Sequence, residues 1–293
     1  MGTRKIVGMF LLLMSGMLFA QGDEISVQST EVAPGLFMLD GVDGQFVGGN
    51  MSVLIGDDGV FLIDDGIATT GPALLAAIAE LTDQPVDFLI NTHIHGDHVG
   101  SNVAIRAHGA TIVAHDNIRK RLLVATGDEA MPPEGLPQIT FSDSTTFHLN
   151  GHSAHVIHVA RAHTDGDAII HFPDINVIHA GDVFFNRLFP FVDHDAGGSV
   201  AGFLAAQDKI YAMADDDTII IAGHGSLGNK ADVKLARDVL ADCHARVRKL
   251  LDAGMSEDEI VAANPLADYH DVWNWGFITT ERMTRSMVRS LTD

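Results

Sequence analysis

With 293 residues, 46% of them hydrophobic and 19% charged, the chain can bury a substantial core and does not have the composition of a disordered polymer. Lys and Arg number 18 against 39 Asp and Glu, and the formal charge of −21 repels phosphate backbones, which argues against nucleic acid as a partner. The single cysteine, Cys243, excludes an internal disulfide, and its neighbours Val239, Leu240, Val247 and Leu250 stand at helical spacing, as around a buried thiol rather than a nucleophile.

The chain opens with Arg4 and Lys5, an apolar run over 6–20 and then the polar Gln21, Gly22, Asp23 and Glu24. That run is too short for a comfortable membrane span, and its flanks read as a signal peptide cut near Ala20, with an uncleaved anchor as the alternative. The expectation is a periplasmic or secreted protein, with no stable membrane association after cleavage and one domain over residues 21–293. Strands are predicted at 51–55 and 60–63, joined by the turn residues Gly56, Asp57, Asp58 and Gly59. Asp64 and Asp65 end the second strand, where a carboxylate can bond nearby loop backbone. A helix over 72–81 is spaced by Leu74, Leu75, Ile78 and Leu81. A strand at 86–90 runs into Asn91, Thr92 and His93. Helices near 102–107 and at 116–124 flank a strand at 111–114, and 127–137 reads as a loop.

The chain then turns β-rich, with strands predicted at 139–141, 146–149, 155–160, 168–172 and 177–180. Ser199 caps a helix marked by Phe203, Leu204, Ile210 and Met213. A strand over 218–222 ends at His224, and a long helix covers 231–253. Ser256 with Glu259 forms a capping box for a short helix, and a terminal helix covers 279–291. Alternating β and α elements, repeated twice, predict an α/β fold in four layers, an αβ/βα sandwich.

Sixteen histidines is a high count, and three of them stand in His93-Ile94-His95-Gly96-Asp97-His98, between a buried strand and a helix. Imidazoles at i and i+2 leave a strand end on the same side, and the following turn brings Asp97 and His98 round to a second position. Zinc accepts imidazole nitrogen and carboxylate oxygen, and three His and one Asp within six residues exceed what one ion needs locally. His163, Asp182 and His224 each stand at another strand end, where open α/β sheets place their sites. Glycines beside Asp182 and His224 allow the backbone to approach closely.

These motifs, in this order, resemble the metallo-β-lactamase superfamily over about residues 27–253. The resemblance implies a binuclear zinc hydrolase. His93, His95 and His163 would hold one ion, Asp97, His98 and His224 the other, and Asp182 would bridge them. Manganese or iron would also suit such donors. A hydroxide shared by the ions would attack, with Asp97 as the catalytic proton carrier. The segment around His163 is similar to the cysteine-using metallo-β-lactamases, but Asp182 stands where they carry cysteine and His98 where they carry arginine. Phe185 replaces their substrate-gripping lysine. The all-His/Asp set is closer to glyoxalase II, although Ala162 and Asp167 break that family's motif.

The leading expectation is hydrolysis of a small-molecule carbonyl substrate, a β-lactam first and a lactone or ester next. The alternatives are a glyoxalase II-like thioesterase or phosphodiesterase, and a non-catalytic metal-binding accessory protein. Export argues against a thioester, and the acidic surface against a polyphosphate. Asn186 and Arg187 are the candidate substrate contacts, and Phe184, Phe185, Phe189 and Phe191 a possible pocket wall. His179 is a candidate support for Asp182, while His152, His155 and His158 read as solvent-facing or hydrogen-bonded. Trp273 and Trp275, close to Phe277, either cap the core or reach the site mouth.

Overall fold

The computed structural model describes residues 25–127 and 130–292, so the signal-peptide reading of residues 1–20 lies outside the described residues. The first half of the chain forms β1 (Val27–Ala33), β2 (Leu36–Gly41), β3 (Met51–Gly56), β4 (Gly59–Ile63), α1 (Gly71–Ala79), β5 (Val86–Asn91), α2 (Gly96–Val99), α3 (Asn102–Ala107), β6 (Thr111–His115), α4 (Asp116–Val124) and β7 (Ile139–Phe141). Its strands make a seven-stranded sheet in sequence order, antiparallel from β1 to β4 and parallel from β4 to β7. The second half forms β8 (Ser144–Leu149), β9 (His152–His158), β10 (Ala168–Phe172), β11 (Val177–His179), α5 (Val200–Met213), β12 (Ile219–Ile221), α6 (Lys230–Asp252), α7 (Glu257–Ala263), α8 (His270–Trp273) and α9 (Thr280–Thr292). Its five-stranded sheet runs β12-β11-β10-β9-β8, with β11 and β12 parallel.

Period-two alternation sorts these strands into layers. In β4, Phe61 and Ile63 face the second sheet and join Ile90, Val113, Val156, Ile170 and Phe172 in the core between the sheets. Val60 and Leu62 face the other way, against Leu74 and Ile78 of α1 and Ile105 of α3. On the far side, Ile169, Ile178 and Ile220 pack under Phe203, Ile210, Val233, Leu240 and Met287. The result is helix, sheet, sheet, helix, the four-layer αβ/βα sandwich that the sequence pattern predicts.

The hairpin turn lies where the glycines place it: Gly56 pairs with Gly59, whose φ of +137° suits glycine. Ser199 caps α5 through the Gly202 amide, and the Ser256–Glu259 capping box opens α7. Two strands lie outside the predicted pattern. β1 is an edge strand, exposed along most of its length, so Gln28, Ser29, Thr30 and Glu31 give it no apolar alternation. β2 is short and continues from it by a tight turn at Gly35. β9 begins three residues before its predicted start because it pairs with β8 across the Asn150-Gly151 turn, both residues having positive φ.

Candidate metal centre

β5 ends at Asn91, and the next residues turn over the edge of the inter-sheet core. Thr92, His93 and His98 are buried there, and α2 places Asp97 and His98 on its first turn. Asp64, at the end of β4 with φ of 58°, fixes this turn. Its Oδ1 accepts the Thr92 amide at 2.7 Å, and its Oδ2 accepts both the Thr92 hydroxyl and His98 Nδ1 at 2.7 Å. Asp65 accepts the Ser101 amide. From the other sheet come His163 in the loop between β9 and β10, Asp182 just after β11 and His224 just after β12.

The structure brings all seven residues together. Nε2 of His163 lies 2.8 Å from Nδ1 of His95. Asp182 Oδ1 is 3.1 Å from His98 Nε2, while its Oδ2 is 3.4 Å from His163, 3.5 Å from His224 and 3.7 Å from His93. Asp97 Oδ2 is 3.2 Å from His224 Nε2. Three groups have donor atoms close enough to share an ion: His93, His95, His163 and Asp182; His98, Asp182 and His224; and His93, Asp97 and His98. Asp182 takes part in two of them.

The outer hydrogen bonds decide which ring nitrogens carry protons. His95 Nε2 donates to Asp193 Oδ2 at 2.8 Å, and His163 Nδ1 donates to the Phe191 carbonyl at 2.7 Å. The Thr92 hydroxyl gives its proton to Asp64, so it accepts from His93 Nδ1 at 3.0 Å. His98 Nδ1 donates to Asp64. In the neutral rings each inner nitrogen then presents a lone pair, and those of His95 and His163 face one another at 2.8 Å. His93 Nε2, His98 Nε2 and Asp182 Oδ1 are buried without a hydrogen-bond partner. Converging lone pairs and buried unpaired acceptors are costly unless a cation lies among them, and imidazole nitrogen with carboxylate oxygen fits a divalent metal.

Electrostatics point the same way. Burial and the neighbouring His98 hold His93 well below the usual histidine range, and burial with His95 lowers His163 to about 4. At His224 burial opposes charging, but the Asp182 carboxylate outweighs it and raises the ring to about 9. His98 is also pushed well up, against burial, by Asp182, Asp97 and Asp64. The carboxylates respond in kind. Burial opposes ionisation of Asp182, yet His98, His224 and His93 hold it well below the carboxylate range, and Asp97 falls to about 2 for similar reasons. The bonding pattern leaves His98 Nε2 bare, whereas charge balance draws a proton there. Both have one cause: buried carboxylates that require a cation, which a metal ion supplies in place of protons.

Asp64 and Asp65 bond the loop backbone as their place after β4 predicts, while the bonds to the histidine rings are not marked in the sequence. Asp193, 98 residues from His95, orients that ring, and Asp64 aims the His98 ring as well as the loop backbone. His179 is buried and neutral; its Nδ1 accepts the Gly181 amide and its Nε2 donates to the Asn50 carbonyl, so it supports the backbone before Asp182 and not the carboxylate. His158 stacks on His115 with centroids 3.8 Å apart. Neither Asn186 nor Arg187 lines the cavity over these residues, although the Asn186 backbone N–H donates to the His224 carbonyl at 3.0 Å. The Asn186 amide donates to the Ser226 and Leu227 carbonyls, and the exposed Arg187 pairs with Asp232 at the start of α6.

Above the ligands lies a cavity of about 310 Å³ walled by Phe46, Phe185, Phe191, Trp275 and Phe277. Asp97, His95, Asp182 and His224 form its polar floor. Phe185 stacks on His224 with centroids 5.3 Å apart, and Phe191 stacks on His95 at 5.5 Å.

Residues 44–224 match the family model described as the metallo-beta-lactamase superfamily. Among curated proteins, the hydroxyacylglutathione hydrolase GloC of Haemophilus influenzae is 30% identical over 161 residues, covering 52% of this chain and 74% of that protein. The hydroxyacylglutathione hydrolase of Methylococcus capsulatus is 30% identical over 145 residues, and the match spans only about half of its length, 52%. Among solved structures, a metallo-beta-lactamase from Pontibacter korlensis superposes with a TM-score of 0.61 at 18% identity, over 74% of this chain and all of that one. The sec-alkylsulfatase Pisa1 from a Pseudomonas species gives 0.65 at 17% identity, over 91% of this chain and 50% of that one.

Proposed function

This chain belongs to the metallo-β-lactamase superfamily and is a metal-dependent hydrolase, and from that premise we propose that it binds two zinc ions and cleaves the acyl bond of a small ester or thioester. The observation that carries this reading is Asp182, whose two oxygens face donor groups on both sides of the site. His93, His95 and His163 would hold one ion, and Asp97, His98 and His224 the other. When bound, such ions supply Lewis acidity and a water of lowered pKa.

The protein's own groups do the rest. Asp97, with its carboxylate held near a pKa of 2 and open to the cavity, stays ionised at neutral pH. It accepts a proton from the attacking water and can pass it to the departing oxygen or sulfur. Asp193, Asp64 and the Phe191 carbonyl fix the rings of His95, His98 and His163, so the floor does not reorganise during the reaction. The aromatic walls limit water around the scissile bond.

The acyl-hydrolase reading is favoured over β-lactam hydrolysis for two reasons. The curated relatives at 30% identity are named as hydroxyacylglutathione hydrolases. Among the described residues, no lysine or arginine lines the cavity to pair with a β-lactam carboxylate, and Phe185 stands in the wall. We further propose that residues 1–20 export the chain and that residues 21–293 act as one domain. The test is to express residues 21–293, count metal per chain, and assay S-lactoylglutathione, a neutral aryl ester and a chromogenic cephalosporin beside Asp182→Ala. About two zincs with ester or thioester turnover that collapses in the variant supports the reading. Cephalosporin turnover alone moves it to a lactamase, and only a trace of bound metal overturns the metal centre.

A further inference from the structure

The five aromatic walls leave little of the cavity for a polar substrate. Phe46 is 60% exposed and Phe277 47% exposed, and both stand at the mouth among the few large apolar side chains that remain open to water. Covering an aromatic ring is favourable in proportion to the apolar area removed from water, so rings left open over a reactive floor mark a contact surface for an apolar group. Four of the walls are phenylalanines, and the one polar atom among the five side chains is turned elsewhere. Trp275 Nε1 donates to the Phe189 carbonyl at 2.9 Å, which leaves its ring against Phe185, His224 and Phe277. Arg282 stands behind the rim, its guanidinium 4.1 Å from the Phe277 centroid and 5.1 Å from that of Phe191, and donates to the Phe277 carbonyl. It clasps two walls that come from segments more than 80 residues apart.

The floor carries two carboxylates, and among the described residues no lysine or arginine lines the cavity. A substrate whose recognised part is an anionic peptide conjugate finds no partner there. At about 310 Å³ the space is at the small end of ligand pockets, enough for a medium alkyl or aryl group. We infer that the pocket selects a neutral, apolar acyl group, with Phe46, Phe191, Trp275 and Phe277 as the specificity-determining residues. The inference rests on the acyl-hydrolase reading and names its substrate class. Trp275 and Phe277 lie beyond residue 224, where the family match ends, so this half of the wall is built by a segment of the chain outside that match.

Two measurements test it on the zinc-loaded chain. The first is kcat/KM for p-nitrophenyl acetate, hexanoate and decanoate, with S-lactoylglutathione as the anionic comparison. The second is binding of the neutral, non-hydrolysable 2-nonanone, read by tryptophan fluorescence in the loaded and the metal-free protein. Each fully buried methylene contributes roughly fourfold, so the four added between acetate and hexanoate would give up to about 250-fold, and a rise of at least about tenfold is expected with partial burial. Phe46→Ala and Phe277→Ala, each at a half-open position where folding is little affected, should flatten the series and weaken ketone binding while zinc content stays the same. A flat or falling series together with no ketone binding overturns the inference, as does S-lactoylglutathione turned over faster than every ester; the latter leaves the acyl-hydrolase reading standing. Ketone binding weakened by Phe277→Ala, with no turnover of any ester or thioester, supports the apolar pocket and overturns the acyl-hydrolase reading instead.

Discussion

Oδ2 of Asp64 lies 2.7 Å from Nδ1 of His98, and both side chains are wholly buried. The same carboxylate oxygen receives the Thr92 hydroxyl, which in turn accepts from His93. One acid at the end of β4 therefore sets the ring orientation of a ligand in each of the two proposed ion positions. Asp64→Asn keeps the shape, and asparagine tolerates the left-handed backbone there. Its amide is a weaker acceptor, and zinc affinity should fall about 10- to 100-fold. Competition with a chromogenic chelator measures this, and an unchanged affinity would show that Asp64 does not orient the ligands.

Glycine substitutions should separate packing from motif. A Cβ on Gly49 would collide with the His98 ring, and one on Gly223 with Asp182 Oδ1. Gly96, inside the histidine motif itself, has nothing within 4 Å of the corresponding point. Gly49→Ala and Gly223→Ala should lose bound metal while the far-ultraviolet spectrum persists, and Gly96→Ala should retain it. Equal retention by all three would contradict the packing of the ligands.

Metal loading should release protons, because an ion takes the positions that Asp182 otherwise fills with protons on His98 and His224. With His224 raised to about 9, protons released per chain on adding zinc should decline as pH rises through that value. An indicator dye in weak buffer gives the count, and a constant count from pH 7 to 10 would exclude this exchange.

His179 is lowered to about 4 by burial, with nearby Asp64 opposing and His98 reinforcing the shift. Its folded pKa lies below the unfolded value of about 6.5, so the folded state favours the neutral ring. Its contribution is complete above pH 6.5 and is lost as pH falls from there towards 4, up to about 3 kcal/mol. His98 and His224, raised in the metal-free protein, act in the opposite sense over higher pH. Urea denaturation of metal-free wild type and His179→Gln isolates the difference, and parallel pH profiles would rule the assignment out.

Burial raises the Cys243 thiol to about 12, with Asp242 adding to the effect. The native protein should resist iodoacetamide at pH 8 and react only after unfolding, as intact mass would record. Rapid labelling of the folded chain would contradict the packing of α6.

The clustering of the histidine motif with His163, Asp182 and His224 was legible because each stands at or near the end of an apolar strand, a local feature of the sequence. The same holds for the caps at Ser199 and Ser256. β1 carried no such feature, since an exposed edge strand has nothing to bury. Asp193 gave no sign of its role, because its partner His95 comes to it only through the packing of two sheets. Asn186 and Arg187 were misread for a related reason. Their distance in sequence from Asp182 is short, but their side chains find partners in Ser226, Leu227 and Asp232, which only the tertiary fold brings near. The walls of the cavity needed the tertiary fold altogether, since Phe46 and Trp275 meet across 229 residues of chain.

His93, His95, Asp97 and His98 belong to the first sheet's half of the chain, and His163, Asp182 and His224 to the second. A cut between β7 and β8 would therefore leave two fragments, with His93, His95 and His163 divided between them and Asp182 parted from Asp97 and His98. The ion would be a fastener of such a pair. The inter-sheet core would already draw the fragments together, and the ion would add to it, so fragments mixed with zinc should assemble at lower concentration than fragments mixed with chelator, which would make the association of the divided protein metal-responsive.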